Sequence, residues 1–335
     1  MKLAVIGTGK IVHDALYALS VVDEVQIVAI FGRPHSKDKA EALARQYAIG
    51  EVYTEYDELL ATTSADTVYI GLVNSVHYEY AKKALLAGKH VILEKPFTLT
   101  SREAEELRDV AVRQQLFLFE AITTLHTRVF RKIEAVLPHL GPVKMVLANF
   151  SQYSSRYDEY RRGEVAACFD PQLNGGALND INVYNIHYCA ALFGLPQAVQ
   201  YYPQQGFNGV DTSGVLVLSY QGFTAVCSAA KDSDSPCFVS IQGEKGWLRV
   251  DDKPNAAQIL DIALAEKGKA GRDAAGANVR NMYREHVDNR QQHHRMCQEF
   301  IDFAHIMAKK DYAQRDKLLE ETVTVVKILE MARHS

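Results

Sequence analysis

Three side chains with the chemistry of proton transfer stand at informative positions in this sequence. Lys95 follows the short apolar run His90–Leu93, where a buried strand is expected to end. A lysine is unusual at a purely structural position of this kind, because burying an ammonium group costs free energy. Further along, Asp180 and Tyr184 are four residues apart, a spacing that puts both on one face of a helix. A lysine, a carboxylate and a phenol brought together can move a proton and stabilise a developing negative charge.

A glycine-rich turn near the N-terminus has the spacing of a phosphate-binding loop. Its sequence is Gly7-Thr8-Gly9-Lys10-Ile11-Val12. Gly7 would allow a tight turn, and Gly9 would let the backbone approach a pyrophosphate held at a helix N-terminus. Val12 stands where a third small residue is usual. An ordinary glycine-rich turn has the same composition, but the strand before it and the helix after it favour dinucleotide binding by residues 7–11.

The end of the second predicted strand indicates which dinucleotide binds. About twenty residues after such a turn, NAD-binding proteins carry an Asp or Glu that binds the ribose hydroxyls. This chain has Gly32-Arg33 there instead of a carboxylate. A guanidinium group can pair with a 2′-phosphate or stack on adenine, although a solvated loop arginine is the simpler alternative. We therefore expect NADP in preference to NAD, with Arg33 in contact with the cofactor.

Charge and cysteine content argue against several other classes of function. The chain has 335 residues and a formal net charge of -4, so nothing in its charge suggests nucleic acid or an anionic membrane as a partner. No apolar run reaches transmembrane length. The five cysteines are scattered without a CxxC pair, and the histidines lack an HExxH spacing. We predict reduced thiols, a cytoplasmic location and no metal site.

The elements that must position these residues fall into two patterns. Through residue 122, short runs rich in Val, Ile and Leu alternate with helical stripes, which is typical of βαβ units and a parallel sheet. The predicted strands are Leu3–Ile6, Val25–Phe31, Thr67–Ile70, His90–Leu93 and Leu116–Phe119. From residue 123 onward, longer apolar runs are separated by turn signals such as Asn208-Gly209. We predict an α/β protein with an N-terminal Rossmann domain, residues 1–122. A C-terminal α/β domain, residues 123–335, would contain a large, mostly antiparallel open sheet.

The order of motifs along the chain resembles that of one oxidoreductase family. The motifs are the glycine turn, Asn74-x-x-His77, AGKHVILEKP ending at Pro96, Gly175-Gly176-Ala177-Leu178-x-Asp180-x-x-x-Tyr184, Gly209-Val210-Asp211 and Gly243-x-x-Gly246. Together they resemble the glucose-fructose oxidoreductase / inositol dehydrogenase / rhizopine catabolism (Gfo/Idh/MocA) family over essentially the whole chain. Tyr184, where many members carry histidine, is similar to the branch with dimeric dihydrodiol dehydrogenase and glucose-fructose oxidoreductase.

The resemblance implies a role for each of the three proton-transfer residues. In that branch, the tyrosine matching Tyr184 and the lysine matching Lys95 are the proposed acid/base pair. An ammonium group beside a phenol stabilises the phenolate, so this pair would be a usable proton donor and acceptor. Asp180 would orient the two side chains.

Other residues are expected around the cofactor and the substrate. Asn74, His77 and Glu94 would border the cleft on the nicotinamide side. His187, close to the same helix face as the tyrosine, is a candidate substrate contact, although a structural histidine explains it equally well. Arg156 lies in a charged loop that would reach over the cleft, and a solvated loop is its simpler explanation.

We therefore expect an NAD(P)-dependent dehydrogenase or reductase. It would transfer hydride between nicotinamide and a carbinol or carbonyl carbon of a sugar, polyol or related cyclic alcohol. Two alternatives remain open: an enzyme of trans-dihydrodiols or dicarbonyls, and a catalytically silent nucleotide-sensing regulator on the same fold. The presence of Lys95, Asp180 and Tyr184 argues against the silent form. The resemblance also implies a homodimer, or a dimer of dimers, formed through the open sheet.

Overall fold

The first part of the chain alternates strands and helices, as its apolar pattern predicts. The computed structural model describes residues 1–267, 271–290 and 293–335. The elements of this part are β1 Lys2–Ile6, α1 Lys10–Leu19, β2 Gln26–Phe31, α2 Lys37–Tyr47, β3 Glu51–Tyr53, α3 Tyr56–Thr62, β4 Thr67–Ile70, α4 His77–Leu86, β5 His90–Glu94, α5 Ser101–Arg113 and β6 Leu118–Ala121. All six strands are parallel, in the order β3-β2-β1-β4-β5-β6. The direction of winding reverses between β1 and β4, which is where doubly wound sheets bind ligands.

Helices cover both faces of this sheet, so its strands are apolar on both sides. Along β1, Leu3 and Val5 pack in the core that contains α1, whereas Ala4 and Ile6 pack in the core that contains α4. This alternation follows from the two-residue period of a strand. A strand buried in this way is a continuous apolar run, which explains why the sequence pattern located β1, β4 and β5.

The second part of the chain forms an eight-stranded sheet. Its elements are α6 Arg128–Val136, β7 Val143–Ser151, α7 Tyr157–Arg161, α8 Val183–Phe193, β8 Ala198–Gln205, β9 Asp211–Tyr220, β10 Phe223–Ala230, β11 Phe238–Gly243, β12 Gly246–Val250, β13 Ile259–Ala265, β14 Gly271–Arg272, β15 Asn278–Val279, β16 Met282–Asp288, α9 Cys297–Ala308 and α10 Tyr312–Arg333. The strand order is β16-β13-β12-β11-β7-β10-β9-β8, and only the β7–β10 pair is parallel. The predicted fold class is confirmed.

The last two helices pack back onto the first sheet. Phe300 and Phe303 of α9 lie in the core on one face of that sheet, and Leu319 of α10 lies in the core on the other. Ile328, further along α10, belongs to the core beneath the eight-stranded sheet. Because α10 contributes to the cores of both layers, chain order alone does not define a boundary, and the division at residue 122 stays a prediction.

The described residues contain neither a membrane-spanning helix nor a cluster of metal ligands. None of the helices in residues 1–267, 271–290 and 293–335 is long and apolar enough to cross a membrane. In the same ranges, no three His, Cys, Asp or Glu side chains are grouped closely enough to hold a metal ion.

Candidate active site

The glycine turn between β1 and α1 leaves open space at a helix N-terminus. Gly7 has φ +121°, and a Cβ atom there would lie 2.6 Å from the carbonyl oxygen of Gly71, so only glycine is accommodated. Apart from the two chain neighbours of Gly9, no residue that the structure describes comes within 4 Å of the position of a Gly9 Cβ, and none caps α1 with a side chain. The N–H groups of the first turn, which includes Lys10 and Ile11, therefore fit the pyrophosphate of a dinucleotide.

Arg33 stands beside this turn, just after the end of β2. The preceding residue, Gly32, is so close to Thr8 that a Cβ on it would come within 3.3 Å of the threonine methyl carbon. The Arg33 side chain is exposed and has neither a hydrogen bond nor an ion pair with the described part of the chain. An unengaged guanidinium next to a phosphate-binding turn fits a 2′-phosphate.

A cleft of about 520 Å³ opens between the first sheet and the elements of the second. On one side it is lined by Lys10, Asn74 and Lys95, which follow the carboxyl ends of β1, β4 and β5. Asp180 and Tyr184 line it from the other side. The fold therefore brings the three residues with proton-transfer chemistry together, at the strand ends beside the glycine turn.

Lys95 and Asp180 are joined by two hydrogen bonds. Nζ of Lys95 donates to Oδ1 of Asp180 at 2.9 Å and to its backbone oxygen at 2.7 Å. The Lys95 side chain is 13% exposed, so the pair is largely removed from water. A second lysine, Lys231, places its Nζ 2.7 Å from Oδ2 of the same carboxylate. Each carboxylate oxygen therefore accepts a hydrogen bond from an ammonium group.

The charges of this cluster stabilise one another. Burial disfavours the charged form of Lys95, but the neighbouring Tyr184 and Asp180 outweigh it and raise the pKa of Lys95 above its ordinary range. Burial likewise opposes ionisation of Asp180, yet Lys95 and Lys231 hold the pKa of its carboxyl well below its ordinary range. The cluster therefore combines two lysine ammonium groups with one carboxylate. The surplus positive charge favours any negative charge that develops in the cleft.

Tyr184 presents an unengaged hydroxyl at the cleft wall. Nζ of Lys95 lies 5.1 Å from the centre of the Tyr184 ring. The residue is only 5% exposed, and its ring packs 5.8 Å from that of Phe150, centre to centre. Within the described ranges its hydroxyl forms no hydrogen bond. The phenol is therefore held by packing while its proton remains available to a ligand.

A π-helical turn, Leu178–Asn182, sets Asp180 on the cleft wall and leads directly into α8. The N–H of Leu178 donates to Oδ2 of Asp211 at 2.6 Å, which anchors the start of the turn. Gly176 permits this contact, because it has φ +108° and a Cβ there would lie 1.9 Å from Oδ1 of Asp211. The sequence motifs around Gly176 and Asp211 therefore act together, although 35 positions separate these two residues.

Asn74 and Glu94 lie at the cleft, as the resemblance implies. The Asn74 amide donates to the backbone oxygen of Asn174 at 3.1 Å and so links the first sheet to the loop before the π-helical turn. Oε1 of Glu94 accepts a hydrogen bond of 2.7 Å from the Tyr69 hydroxyl. Burial raises the pKa of Glu94.

His77 does not line the cleft, contrary to the expectation for it. The ring is fully buried behind the cleft wall, with Nε2 3.1 Å from the carbonyl oxygen of Leu72 and Nδ1 3.0 Å from that of Pro96. Burial lowers its pKa. His77 thus ties together the two loops that follow β4 and β5.

The two candidate substrate contacts also lie away from the cleft. His187 is fully buried, with Nε2 3.3 Å from Oε2 of Glu120, because its side chain packs into the core beside β6. Arg156 is exposed and pairs with Glu159 at 3.0 Å within its own segment. Neither side chain lines the cleft, so the expectation for both is corrected.

The cleft is also lined by residues that were not expected from the sequence. Lys231 directly follows β10, much as Lys95 follows β5, so a lysine after an apolar strand was the available signal. Arg295 comes from the segment before α9, and Gln152 follows β7. No local pattern marks Arg295 or Gln152, because only the packing of distant segments brings them to the cleft.

Comparisons with known proteins match both parts of the chain. Residues 1–121 match a model described as an oxidoreductase family with an NAD-binding Rossmann fold, and residues 138–249 match the GFO/IDH/MocA C-terminal domain. The scyllo-inositol 2-dehydrogenase (NADP(+)) IolU of Bacillus subtilis is 30% identical over 99% of this chain and 96% of its own length. The trans-1,2-dihydrobenzene-1,2-diol dehydrogenase of Xenopus tropicalis is 31% identical over 74% of this chain and 74% of its own length.

A solved structure shares the whole fold. KijD10, a 3-ketoreductase from Actinomadura kijaniata in complex with NADP and TDP-benzene, has a TM-score of 0.81 and 22% sequence identity to this chain. The match covers 100% of this chain and 97% of that one. At this identity the likeness establishes the arrangement of the two sheets and nothing about the substrate.

Proposed function

The chain belongs to the Gfo/Idh/MocA family of oxidoreductases with an NAD(P)-binding Rossmann fold, and we propose that it transfers hydride between NADP(H) and a carbinol or carbonyl carbon of a cyclic polyol or sugar. The family resemblance of the motifs is confirmed, and the chain is an NAD(P)-dependent oxidoreductase. The observation that carries the more specific proposal is the cluster of Lys95, Asp180 and Tyr184 in one cleft with Lys10 of the glycine turn.

We assign the proton of the reaction to Tyr184. In carbonyl reduction the bound nicotinamide supplies the hydride, so the protein must supply a proton to the carbonyl oxygen. The Tyr184 hydroxyl donates that proton, and in the reverse direction it accepts the proton of the alcohol. Lys95 uses two of its three N–H donors on Asp180 and keeps the third for the phenolate or alkoxide that develops. Asp180 orients Lys95 and balances its charge.

Arg33 supports NADP rather than NAD as the cofactor. Its exposed guanidinium stands next to the glycine turn, at the strand end where NAD-binding proteins carry a ribose-binding carboxylate. An arginine at this point complements the two negative charges of a 2′-phosphate. The printed name of the inositol dehydrogenase IolU likewise specifies NADP(+).

The cleft wall favours a substrate with several hydroxyl groups. The second part of the chain supplies Gln152, Ser154, Ser155 and Asn255 to it. Such groups can bind hydroxyls on several carbons of one ring and so fix its orientation. The alignment points the same way, since the inositol dehydrogenase matches 99% of this chain and the dihydrodiol dehydrogenase 74%.

The proposal is tested by following NADPH oxidation with a panel of substrates. The panel contains monoketones of inositols, aldoses and ketoses, and a 1,2-dicarbonyl; trans-dihydrodiol oxidation is assayed in parallel with NADP⁺. We expect the highest kcat/KM for a polyhydroxylated ring. Tyr184→Phe, purified in the same way, measures any contaminating reductase. A preference of more than tenfold for the dicarbonyl or the dihydrodiol would replace the substrate class, and cofactor binding without any turnover would favour the nucleotide-sensing regulator.

We also propose that the outer face of the eight-stranded sheet pairs with a second copy of the chain. Helix α8 covers the inner face. The outer face carries three pairs of apolar cross-strand neighbours: Tyr202 with Val215, Val217 with Val226, and Val226 with Leu147. In a two-fold symmetric dimer, this apolar stripe would pack against the same stripe of the second copy. Light scattering after size exclusion should give a dimer or a dimer of dimers. Val217→Arg should shift it towards the monomer.

A cytoplasmic location is proposed from the state of the thiols. All five cysteines are free, including Cys189 and Cys227, whose Sγ atoms lie 3.7 Å apart in the core. Thiols this close persist unoxidised in a reducing compartment. Alkylation during lysis, followed by mass analysis of the unfolded protein, should find five modified cysteines.

A further inference from the structure

Lys231 is a buried cation that has no part in the steps assigned above. It is 2% exposed and directly follows β10. Its backbone is held from both sides: its N–H donates to the carbonyl oxygen of Thr212 at 2.8 Å, and its carbonyl accepts from the N–H of Ser154 at 2.8 Å. From this fixed position Nζ reaches Oδ2 of Asp180 at 2.7 Å and the carbonyl oxygen of Cys168 at 2.6 Å.

The protein itself satisfies the Lys231 ammonium group. A lysine has three N–H donors, and Asp180 and Cys168 occupy two of them. The ring of Phe169, whose centre is 4.3 Å from Nζ, provides a cation–π contact for the remaining charge. Lys95 also has two hydrogen bonds, both to Asp180, but its side chain is 13% exposed, whereas that of Lys231 is 3% exposed. Lys231 is therefore engaged by the protein rather than available to a substrate.

We propose that Lys231 is a positioning residue for hydride transfer, which holds the Asp180 carboxylate in the orientation that binds Lys95. The inference rests on the proposed function, since Lys231 acts only through the Lys95–Tyr184 pair. The Asp180 side chain is 34% exposed, and engaging both of its oxygens restricts its rotation more than engaging one. With Oδ2 on Lys231, Oδ1 remains on Lys95, and the Lys95 ammonium stays beside the tyrosine ring.

The same contact adds positive charge to the cleft. One carboxylate neutralises one ammonium group, so the second lysine turns a neutral pair into a cationic cluster. A cationic cluster beside Tyr184 lowers the free energy of a phenolate or alkoxide formed there. Only the positioning effect passes through Asp180, and this dependence separates it from the electrostatic effect and from a general contribution to the fold.

A double-mutant cycle between Lys231→Met and Asp180→Asn tests the inference. In the wild-type background, Lys231→Met should lower kcat/KM by about 10- to 100-fold, mainly through kcat, as expected for a misplaced catalytic group. In the Asp180→Asn background the same change should alter kcat/KM by less than about threefold. NADPH affinity, measured by fluorescence titration, should stay within about threefold of wild type in all four proteins.

Controls and a second readout keep the test decisive. Lys89→Met removes a lysine that likewise donates to backbone carbonyls, those of Thr63 and Ala65, but far from the cleft, and it should leave kcat/KM unchanged. The cycle is repeated on denaturant midpoints of unfolding. There, Lys231→Met should destabilise the wild-type protein more than it destabilises the Asp180→Asn variant. Equal effects of Lys231→Met in the two backgrounds, in either readout, would overturn the inference. If the wild type shows no turnover, but the denaturant midpoints still show the expected coupling between the two substitutions, the proposed function is refuted instead.

Discussion

Lys95 and Asp180 meet across the two layers of the protein, 85 positions apart in the chain. Lys95 follows β5 of the parallel sheet, whereas Asp180 lies in the π-helical turn before α8, which covers the second sheet. Two hydrogen bonds, of 2.9 and 2.7 Å, join them. The geometry of proton transfer therefore depends on how the two sheets are held together, and α10, which packs in the cores of both, is one element that joins them.

Lys95→Met should remove nearly all turnover while NADPH affinity stays within about threefold of wild type. The ammonium acts mainly on charge that develops during the reaction, so kcat and kcat/KM should fall together, by about 10²–10⁴-fold. Steady-state kinetics and fluorescence titration of NADPH measure the two effects. Lys82→Met is the matched control, because Lys82 pairs with Glu106 at 2.6 Å on the surface. Near-normal kcat in the Lys95 variant would show that another group carries the charge.

Tyr184→Phe should lower kcat by about 10²–10⁴-fold, roughly 3–5 kcal/mol of barrier, and leave the fold intact. The ring and its packing against Phe150 are kept, and only the hydroxyl is lost. Tyr188→Phe, one helical turn further along α8, is the control. The Tyr188 hydroxyl is buried without a partner among the described residues, so its loss should leave kcat within about twofold. Equal rates for the two variants would mean that a bound water or another side chain supplies the proton.

Arg33→Ala should weaken NADPH binding about 10- to 100-fold, or about 1.4–2.7 kcal/mol, and leave NADH binding almost unchanged. The guanidinium is exposed beside the glycine turn. The two cofactors differ only in the 2′-phosphate of NADPH, which is the group that Arg33 would bind. Isothermal titration of both cofactors to both proteins gives the four affinities. Arg45→Ala, which removes an exposed arginine near Glu41, should change neither. Wild-type protein that binds NADPH and NADH equally would contradict the assignment.

Glu299→Gln should stabilise the protein, and the gain should grow as pH rises. Glu299 is fully buried and both its oxygens lack partners in the described residues; burial, with Glu94 nearby, raises its pKa well above the ordinary value. Between the unfolded and folded pKa values the folded state binds more protons, so wild-type stability falls with pH by up to about 1.4 kcal/mol per unit. Glutamine has no charge to bury and escapes this loss.

Thermal unfolding of wild type and Glu299→Gln between pH 5 and 9 measures this difference. Glu58→Gln, which changes an exposed glutamate of α3, should show no gain that depends on pH. A constant difference between wild type and Glu299→Gln across the whole range would mean that Glu299 titrates normally.

The amino-acid sequence by itself determined the features that depend on neighbouring residues. Buried parallel strands are continuous apolar runs, so the predicted strand Val25–Phe31 differs from β2, Gln26–Phe31, by one residue. A position with positive φ, such as that of Gly7, requires glycine because of its local backbone conformation. The apolar runs and turn signals were enough to predict both sheets, and the order of the motifs was enough to predict the family and the meeting of Lys95 with Asp180.

Tertiary structure alone decided which side chains face the cleft. His77 and His187 have the residue type of a site contact, yet packing buries both, and Arg156 turns to Glu159. Lys231 and Arg295 reach the cleft from segments far along the chain from Lys95, and no local pattern marks Arg295. The physical reason is that local patterns specify helices, strands and turns, whereas the direction of a side chain relative to a distant segment depends on how whole layers pack.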